Sequence, residues 1–278
     1  MSKQELSFSV LIPVYKNDSA IFFDEAINSI FLQQSLKPKQ IVIVVDGPIG
    51  FELTAIIDTW IAKSQNLFDV VRLKENLGLG KALNIGLANC KYDLIARMDS
   101  DDISHGDRFR HQINAFADNP SLDVCGTNIA EFSYDPNEIS GIRALPMLHS
   151  EIVRMARFRN PINHPSVMFK KSKILSVNGY QDMPFFEDYF LWVRCIQGGC
   201  SFHNIQQNLV LMRGGEPQLS RRQGAKYALY EFKYFSKLVR IKFIKWHVFF
   251  ALVFFRGSLR LLPRSIVKFC YLIIRKFW

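Results

Sequence analysis

The sequence predicts an α/β protein in which a mostly parallel central sheet carries helices on both faces. Continuous apolar runs rich in β-branched residues recur in the N-terminal part of the chain, as expected for strands buried on both sides. Segments of helical character separate these runs, and this alternation favours a parallel sheet. The chain has 278 residues, of which 49% are hydrophobic, so it can form one large core with an appendage.

Four strands and three helices are predicted before the middle of the chain. The first apolar run, residues 8–15, is expected to form a strand that Pro13 stops, because proline has no N–H to give to a ladder. Asp18 and Ser19 can cap the helix that follows. The remaining strands are expected at residues 40–45, 68–73 and 92–98, and the helices at residues 18–33, 51–64 and 80–90.

Polar side chains follow each of these predicted strands. Tyr15, Asp46, Asn76 and Asp99 all come directly after an apolar run or a few residues later. In a parallel sheet the carboxyl ends of the strands share one edge, and ligands bind there. We therefore expect these four residues to lie along one edge of the sheet. Ordinary strand-end turns would explain the same residues, and the segment 46–48, Asp-Gly-Pro, would serve well as a turn.

An acidic loop, residues 99–102, ends the fourth predicted strand. Asp99 and Asp101 are two residues apart, so in an extended backbone their side chains share a face. Carboxylate oxygens suit Mg²⁺ or Mn²⁺, which are usually also bound to substrate phosphates. The alternative is an acidic turn after a strand, since an Asp-x-Asp pattern is common on its own.

The segment 76–84 places two glycines and Lys81 at the start of a predicted helix. Free backbone N–H groups and a cation at that position suit a phosphate. The spacing matches neither a Walker loop nor a dinucleotide-binding glycine motif. A tight turn would explain the two glycines equally well.

The order of these motifs resembles the family 2 glycosyltransferases of GT-A (Rossmann-like) fold. The matching segments are residues 9–17, 44–47, 76–84 and 99–102, followed by Phe-Glu-Asp-Tyr-Phe-Leu-Trp at 186–192. The resemblance covers roughly residues 8–213, and it is strongest to bacterial enzymes that build O-antigen or exopolysaccharide repeat units. Each motif is weak alone, but five in this order and spacing are specific.

The resemblance implies a site for a nucleotide-sugar donor, and its contacts are carried over residue by residue. Val14 and Tyr15 would lie beside the nucleotide base. Asp46 would form a hydrogen bond with the base. The resemblance implies that this base is uracil and that the donor is a UDP-sugar. Asn76 and Lys81 would lie near the base or the diphosphate.

The resemblance also implies the residues that carry the chemistry. Asp99 would contact the ribose and Asp101 would bind the metal ion, Mg²⁺ or Mn²⁺. Asp188, preceded by Glu187, matches the general base of an inverting single displacement. A negatively charged first turn of a helix at 189–196 would account for the same two acids. In relatives a loop near residues 214–222 closes over the diphosphate with a basic side chain, a role that Arg221 or Arg222 could take; a linker ending in surface charge is the equal alternative.

The middle of the chain is expected to bind the acceptor. It contains a predicted helix at 107–118 and a strand at 122–128. A polar turn at 160–166 then leads into another strand. Two edge strands are predicted at residues 201–205 and 209–213. His164 in the polar turn either contacts the acceptor or a phosphate, or is a structural imidazole bonded to the backbone.

Charge divides the chain into two predicted regions, residues 1–218 and 219–278. The second region holds 14 Lys and Arg and a single acid, Glu231, whereas the first holds 21 basic and 24 acidic residues. Five scattered cysteines show no zinc-site spacing, and we expect reduced thiols in a cytosolic protein. The second region is therefore predicted to be a basic tail on a slightly acidic glycosyltransferase domain.

The basic tail is expected to lie on a membrane. Its longest uncharged apolar run, residues 247–255, is far shorter than the ~20 residues of a spanning helix. Lys and Arg mixed with Trp and Phe suit amphipathic helices in a membrane interface, with Pro263 dividing two helices. A helical oligomer interface is another possibility, while nucleic-acid binding is disfavoured because the tail is too apolar.

Together these features predict an inverting, metal-dependent glycosyltransferase bound peripherally at the cytoplasmic face of the plasma membrane. It would transfer a sugar from a nucleotide donor to a saccharide linked to a polyprenyl diphosphate. One alternative is a metal-dependent nucleotidyltransferase, although such enzymes usually carry a basic glycine-rich loop after the first strand, and residues 13–17 contain no glycine. The other alternative is a non-enzymatic scaffold associated with the membrane.

Overall fold

The computed structural model of the protein describes residues 6–214 and 224–261, without the side chains of residues 257–261. The described chain divides into two compact units. The first, here called the sheet unit, comprises residues 6–182 and 187–213. The second, here called the helical unit, comprises residues 183–186, 214 and 224–261.

Four parallel strands form the N-terminal half of the sheet, in the order β3-β2-β1-β4. Val10 of the first strand pairs with Ile41 on one side and with Ala96 on the other. This arrangement follows from the continuous apolar runs, because strands buried on both faces need helices above and below them. The four strands are β1 (Phe8–Val14), β2 (Gln40–Val45), β3 (Phe68–Arg72) and β4 (Leu94–Arg97).

Pro13 lies inside β1 and does not stop it, contrary to the sequence-based expectation. The pairing of β1 with β4 ends at Leu11, whose carbonyl accepts the N–H of Met98 at 3.0 Å. Alternate residues of a strand point their backbone groups to the same side, so the nitrogen of Pro13 faces this side beyond the end of the ladder. The missing N–H therefore costs no strand pairing, and β1 continues to Val14.

Helices cover both faces of the parallel strands, as predicted. On one face lie α1 (Ala20–Ile30), α2 (Phe51–Lys63) and α4 (Arg108–Asp118), and on the other lies α3 (Leu79–Asn89). Ser19 caps α1 by accepting the N–H of Phe22 at 3.4 Å. The predicted α/β class is thus confirmed, with helix ends within a few residues of those expected.

Antiparallel strands extend the sheet beyond β4 and make it mixed. The order continues β4-β8-β6-β9-β5, and β7 pairs with β6. The two edge strands expected at 201–205 and 209–213 are one continuous strand, which runs parallel to β6 with register shifts near Asn128. The added strands are β5 (Ile103–Ser104), β6 (Val124–Phe132), β7 (Ile139–Arg143), β8 (Met168–Lys170) and β9 (Phe202–Arg213).

Three further helices and one short 3-10 turn complete the sheet unit. The 3-10 turn, His164–Ser166, leads directly into β8. Four of the five cysteines lie in the described residues, and all four are buried free thiols. Cys270 lies outside the described residues. The helices are α5 (His149–Met155), α6 (Lys171–Ser176) and α7 (Glu187–Gln197).

The helical unit contains two helices, α8 (Ala225–Arg240) and α9 (Trp246–Leu261). They are joined by an ion pair between Arg256 and Glu231, 2.7 Å apart, and by an edge contact between the rings of Phe232 and Phe249. None of the helices that the structure describes is both long and apolar enough to cross a membrane. The predicted break at Pro263 and the predicted loop residues Arg221 and Arg222 lie outside the described residues.

Candidate active site

The carboxyl ends of three parallel strands bring most of the predicted nucleotide residues to one edge of the sheet. Val14 at the end of β1 pairs with Val45 at the end of β2. Tyr15 and Asp46 therefore follow neighbouring strand ends, and Asp99 follows the end of β4 on the other side of β1. The side chain of Val14 packs in the core, so any contact with a nucleotide at this residue falls to its backbone.

Asp46 ties the end of β2 to the loop that begins α3. Its carboxylate accepts the N–H of Leu77 at 2.7 Å and the N–H of Gly78 at 3.0 Å. The side-chain amide of Asn76 donates to the Asp46 carbonyl at 3.1 Å. Each carboxylate oxygen retains a second lone pair, so Asp46 can still accept a hydrogen bond from a ligand. The loop that leads into α3, the helix that carries Lys81, is thereby fixed beside the strand ends.

Asp18 is a residue of this edge that sequence reasoning missed, because it was read only as a helix cap. Its Oδ2 accepts the N–H of Tyr15 at 3.0 Å and the hydroxyl of Ser100 at 2.8 Å. Burial, together with the charge of Asp99, raises the pKa of Asp18. The sequence does show a carboxylate on the loop after β1, at the edge where ligands are expected. Only the fold shows that Asp18 holds the acidic loop.

The acidic loop is not extended, so the argument that placed Asp99 and Asp101 on one face was wrong. β4 ends at Arg97, and Ser100 and Asp101 form a turn. The turn nevertheless keeps the carboxylates of Asp99 and Asp101 close enough for their charges to interact. Burial and the negative charges of Asp99 and Asp18 raise the pKa of Asp101 to about 6.

Two arginines contact this loop, one through Asp99 and the other through its last carboxylate, Asp102. The guanidinium of Arg97, 1% exposed, forms an ion pair with Asp99. Asp102 is buried, and its Oδ1 accepts the N–H of Arg213 at 2.9 Å. Burial and the charges of Asp99 and Asp101 raise the pKa of Asp102. Arg213 also donates from Nε to the Asp101 carbonyl at 3.0 Å, which fixes the turn.

The acidic loop fits a divalent cation in the chemistry of its donors. Hard carboxylate oxygens repel one another here, as the raised pKa of Asp101 shows, and a dication would relieve that repulsion. The described residues contain no group of three His, Cys, Asp or Glu side chains that could hold a metal ion. Mg²⁺ and Mn²⁺ usually bind through one or two carboxylates, waters and substrate phosphates.

Glu187 and Asp188 begin α7 and lie beside the start of α3. A Cβ built on Gly80 would sit 3.5 Å from Cγ of Glu187, so the first turns of the two helices are in contact. The amide of Asn160 donates to Oδ2 of Asp188 at 2.6 Å. Asn160 comes from the predicted polar turn, and its contact with Asp188 could not be read from the sequence.

A tyrosine–histidine pair packs against α7, where the ring of His164 lies 6.2 Å from the ring of Trp192. Nε2 of His164 lies 2.9 Å from the hydroxyl of Tyr180. Burial, together with the charge of Arg97, lowers the pKa of His164 well below its usual value, so the imidazole is neutral. Burial, opposed by Arg97 and supported by Asp188 and Asp99, raises the pKa of Tyr180.

Tyr180 is held at this position by its backbone. Its N–H donates to Oδ1 of Asn84 at 2.8 Å, and its carbonyl accepts the amide of Asn84 at 2.7 Å. Gly179 precedes it with φ +57°, and a Cβ there would lie 2.4 Å from Oδ1 of Asn84. The role left open for His164 is thus clarified in part, because the ring is bonded to a side chain and not to the backbone.

Solved structures with known ligands share this fold. A mannosyltransferase from Pyrobaculum calidifontis, in complex with GDP-Man and Mn²⁺, has a TM-score of 0.64 at 15% identity over 85% of this chain and 65% of its own. The S. aureus protein TarS, residues 1–349 in complex with UDP-GlcNAc, has a TM-score of 0.64 at 15% identity over 84% of this chain and 67% of its own. At these identities the likeness concerns the fold.

Similar sequences cover the whole chain. An Escherichia coli protein named UDP-Gal:alpha-D-GlcNAc-diphosphoundecaprenol beta-1,3-galactosyltransferase is 37% identical over 278 residues, all of both chains. The amylovoran biosynthesis glycosyltransferase AmsE of Erwinia amylovora is 34% identical over 95% of this chain and 97% of its own.

The family model described as Glycosyl transferase family 2 matches residues 9–178. This segment contains the ends of β1, β2 and β4, the acidic loop and the start of α3, and the relatives extend the similarity through α7. The enzyme class and the family predicted from the motifs are confirmed. The chain belongs to glycosyl transferase family 2, and it is a glycosyltransferase of GT-A fold.

Proposed function

We propose that this enzyme transfers a sugar from a UDP-sugar to a saccharide linked to a polyprenyl diphosphate, with inversion, during synthesis of a bacterial surface polysaccharide. The observation that carries the proposal is the approach of two carboxylate sites. The acidic loop follows β4 at the sheet edge where Asp46 holds the loop before α3. Glu187, which precedes Asp188 at the start of α7, lies 3.5 Å from the Cβ position of Gly80 in α3. A donor held at the first site and an acceptor activated at the second would therefore meet between them.

The donor site lies on the strand ends and the loops that Asp46 and Asp18 fix. Tyr15, Asp46, Asn76 and Lys81 bind the base and diphosphate, and Asp99 binds the ribose. UDP is favoured as the nucleotide because the Escherichia coli relative is named for UDP-Gal and TarS was solved with UDP-GlcNAc. The mannosyltransferase with GDP-Man makes GDP the competing donor. Arg221 is proposed to close over the diphosphate.

Asp101 is proposed as the metal ligand, with Mn²⁺ or Mg²⁺ as the ion. When bound, a divalent cation neutralises the charge that develops on the leaving diphosphate. The neighbouring structure with Mn²⁺ supports the choice of a divalent ion. This chain presents Asp101 on a turn. Arg213 holds the turn through hydrogen bonds to Asp102 and to the Asp101 carbonyl, and Asp18 holds it through the hydroxyl of Ser100.

Asp188 is proposed as the general base. It takes the proton of the acceptor hydroxyl while that oxygen forms a bond to the anomeric carbon. The bond from the anomeric carbon to the diphosphate oxygen breaks, and UDP leaves from the opposite face, so the configuration inverts. Asn160 orients the carboxylate by donating to Oδ2 at 2.6 Å. Glu187 adds negative charge beside Asp188 and packs against the start of α3.

The helical unit is proposed to hold the enzyme peripherally at the cytoplasmic face of the plasma membrane. Trp246, Phe250 and Phe254 recur every fourth residue of α9 and are 68%, 61% and 70% exposed. Residues with this spacing share one helix face, and aromatic side chains beside Lys and Arg suit a membrane interface with anionic lipid. This placement would bring the enzyme to a lipid-linked acceptor such as the one in the name of the Escherichia coli relative.

Calorimetric titration of the purified full-length protein with UDP, GDP and ADP, each with and without Mn²⁺, tests the donor and the metal. We expect UDP to bind only with Mn²⁺. A preference for GDP would show that the donor is a GDP-sugar. UDP binding that is equally strong with and without Mn²⁺ would refute the metal role. Incubation with UDP-Gal and a GlcNAc-diphospholipid, followed by NMR of the product, tests the rest. A β-linked galactose supports inversion, and an α-linked one refutes it.

A further inference from the structure

Two arginines are buried side by side beneath the acidic loop, and their hydrogen bonding differs. Arg108 is fully buried and donates from Nη2 to the Arg97 carbonyl at 2.6 Å and from Nε to Gln112 at 3.1 Å. Its third nitrogen, Nη1, lies 3.3 Å from the sulfur of Met98. Every nitrogen of the Arg108 guanidinium therefore has a partner, as expected of a structural arginine.

Arg97 is different, because only one nitrogen of its guanidinium forms a hydrogen bond to the described residues. Nη2 donates to Asp99, whereas Nε and Nη1 have no hydrogen-bond partner among residues 6–214 and 224–261. Arg97 is 1% exposed. A buried guanidinium with unsatisfied donors costs stability, and an apolar side chain of similar volume would often be at least as stable. Stability of the core therefore does not explain the presence of Arg97.

The direction of the side chain shows where Arg97 acts. Side chains alternate between the two faces of a strand, so Arg97 shares its face with Ile95, which packs in the core cluster containing Tyr180 and Trp192. The charge of Arg97 also affects Tyr180 and His164. The guanidinium thus lies at the end of β4, bonded to Asp99, and its charge also acts on the tyrosine–histidine pair.

We propose that Arg97 is a positioning residue for the donor nucleotide. It holds Oδ1 of Asp99, which fixes the rotamer of that carboxylate and directs Oδ2 to the ligand. Asp99 is about one third exposed and has three other carboxylates nearby, so without Arg97 it would turn towards solvent and away from them. The inference rests on the proposed binding of a nucleotide at Asp99.

The test compares Arg97→Met and Arg97→Lys with the wild type in calorimetric titrations with UDP and Mn²⁺. We expect Arg97→Met to unfold within a few degrees of the wild type and to bind UDP about tenfold more weakly, the usual magnitude for a lost charged hydrogen bond. Arg97→Lys, which can still donate to Asp99, should lose less. If Arg97→Met does not fold, Arg97→Lys carries the test. Its weaker UDP affinity should then persist at every Mn²⁺ concentration.

A double-mutant cycle separates positioning from a general structural effect. In an Asp99→Asn background, Arg97→Met should change UDP affinity by less than about twofold, because coupled residues are not additive. A second tenfold loss in that background would show that Arg97 acts independently of Asp99 and would overturn the proposal. So would an Arg97→Met variant that loses stability but binds UDP as the wild type does.

Lys170→Met is the matched control, since Lys170 pairs with buried Asp123 at 3.2 Å and lies opposite Leu94 at the other end of β4. It should lower stability and leave UDP affinity unchanged. The outcomes also separate this inference from the proposed function. If the wild type binds neither UDP nor GDP, the proposed function fails and the inference with it. If the wild type binds UDP and Arg97→Met binds it equally, only the role of Arg97 fails.

Discussion

The sheet unit and the helical unit use charged and aromatic side chains in opposite ways. The sheet unit buries Arg97, Arg108 and Asp102 to 1% exposure or less at the end of one strand. The helical unit leaves Trp246 and Phe254 about two thirds exposed. Fixed charges in a region of low dielectric act strongly on a reacting group, whereas exposed aromatic area contributes only when another surface covers it. In the proposed function, the chemistry belongs to the first unit and membrane association to the second.

Substitution of the acidic loop should give the largest effect. We expect Asp101→Ala to reduce sugar transfer by at least about 10³-fold, because the loss of a metal ligand removes several kcal/mol of charge stabilisation at the leaving diphosphate. Activity would be measured with a UDP-sugar and a lipid-linked acceptor. Asp58→Ala, at an exposed carboxylate 3.8 Å from Arg72, is the control and should be fully active. Wild-type activity in Asp101→Ala would remove the metal role from this residue.

The start of α7 should give the next largest effect. Asp188→Asn should lower kcat by about 10²- to 10⁴-fold, the range for loss of a general base, while UDP affinity stays unchanged. Asn160→Ala should cost less, because the base remains and only its orientation is lost. The measurements are steady-state kinetics and calorimetry on the same preparations. An Asp188→Asn variant that retains kcat would refute the assignment of the base.

The helical unit should show the opposite behaviour. Replacement of Trp246, Phe250 and Phe254 by serine should weaken binding to anionic vesicles by about 10²-fold, because less apolar surface enters the interface. The thermal unfolding midpoint should stay nearly constant. Phe51→Ser is the control, since Phe51 is 86% exposed on the sheet unit and should not affect vesicle binding. Equal losses in both variants would contradict the distinction between the two units.

The smallest predicted effect tests how tightly the loops of the sheet unit are held. Gly47 has φ +86°, and a Cβ there would lie 2.6 Å from the backbone nitrogen of Asn76. Gly78 also has φ +86°, but nothing lies within 4 Å of its Cβ position. Both alanine variants incur the cost of a left-handed backbone, and Gly47→Ala should lower the free energy of unfolding by about 1 kcal/mol more. Denaturant unfolding measures the free energy of unfolding of both variants. Equal values would show that the loop at Asn76 moves to accommodate the Cβ at little cost.

Much of the fold was predictable because its signals are local. The four β-branched runs became β1 to β4, and the spacing of the glycines and Lys81 located the start of α3. The order of the polar strand ends was sufficient to identify the family. The short elements β5, β7, α5 and α6 were not predicted, because segments of two to seven residues carry too little periodicity.

The geometry of the site required the tertiary structure. Pro13 is tolerated in β1 because the ladder with β4 ends at Leu11. The span from 202 to 213 forms one strand because β6 pairs with both of its ends, with register shifts near Asn128. Contacts such as Asn160 with Asp188 join residues 28 positions apart, and no sequence period reports them.

The sequence by itself determined the class of the protein, its family and the residue types that its chemistry needs, because apolar periodicity and short motifs are properties of neighbouring residues. Only the tertiary structure decided how those residues are held. It turned Asp18 from a helix cap into a support of the acidic loop. It also placed Arg97 against Asp99, with two guanidinium nitrogens that have no partner in the described part of the chain. Hydrogen bonds and burial depend on which strands become neighbours, and that is settled by packing of the whole chain.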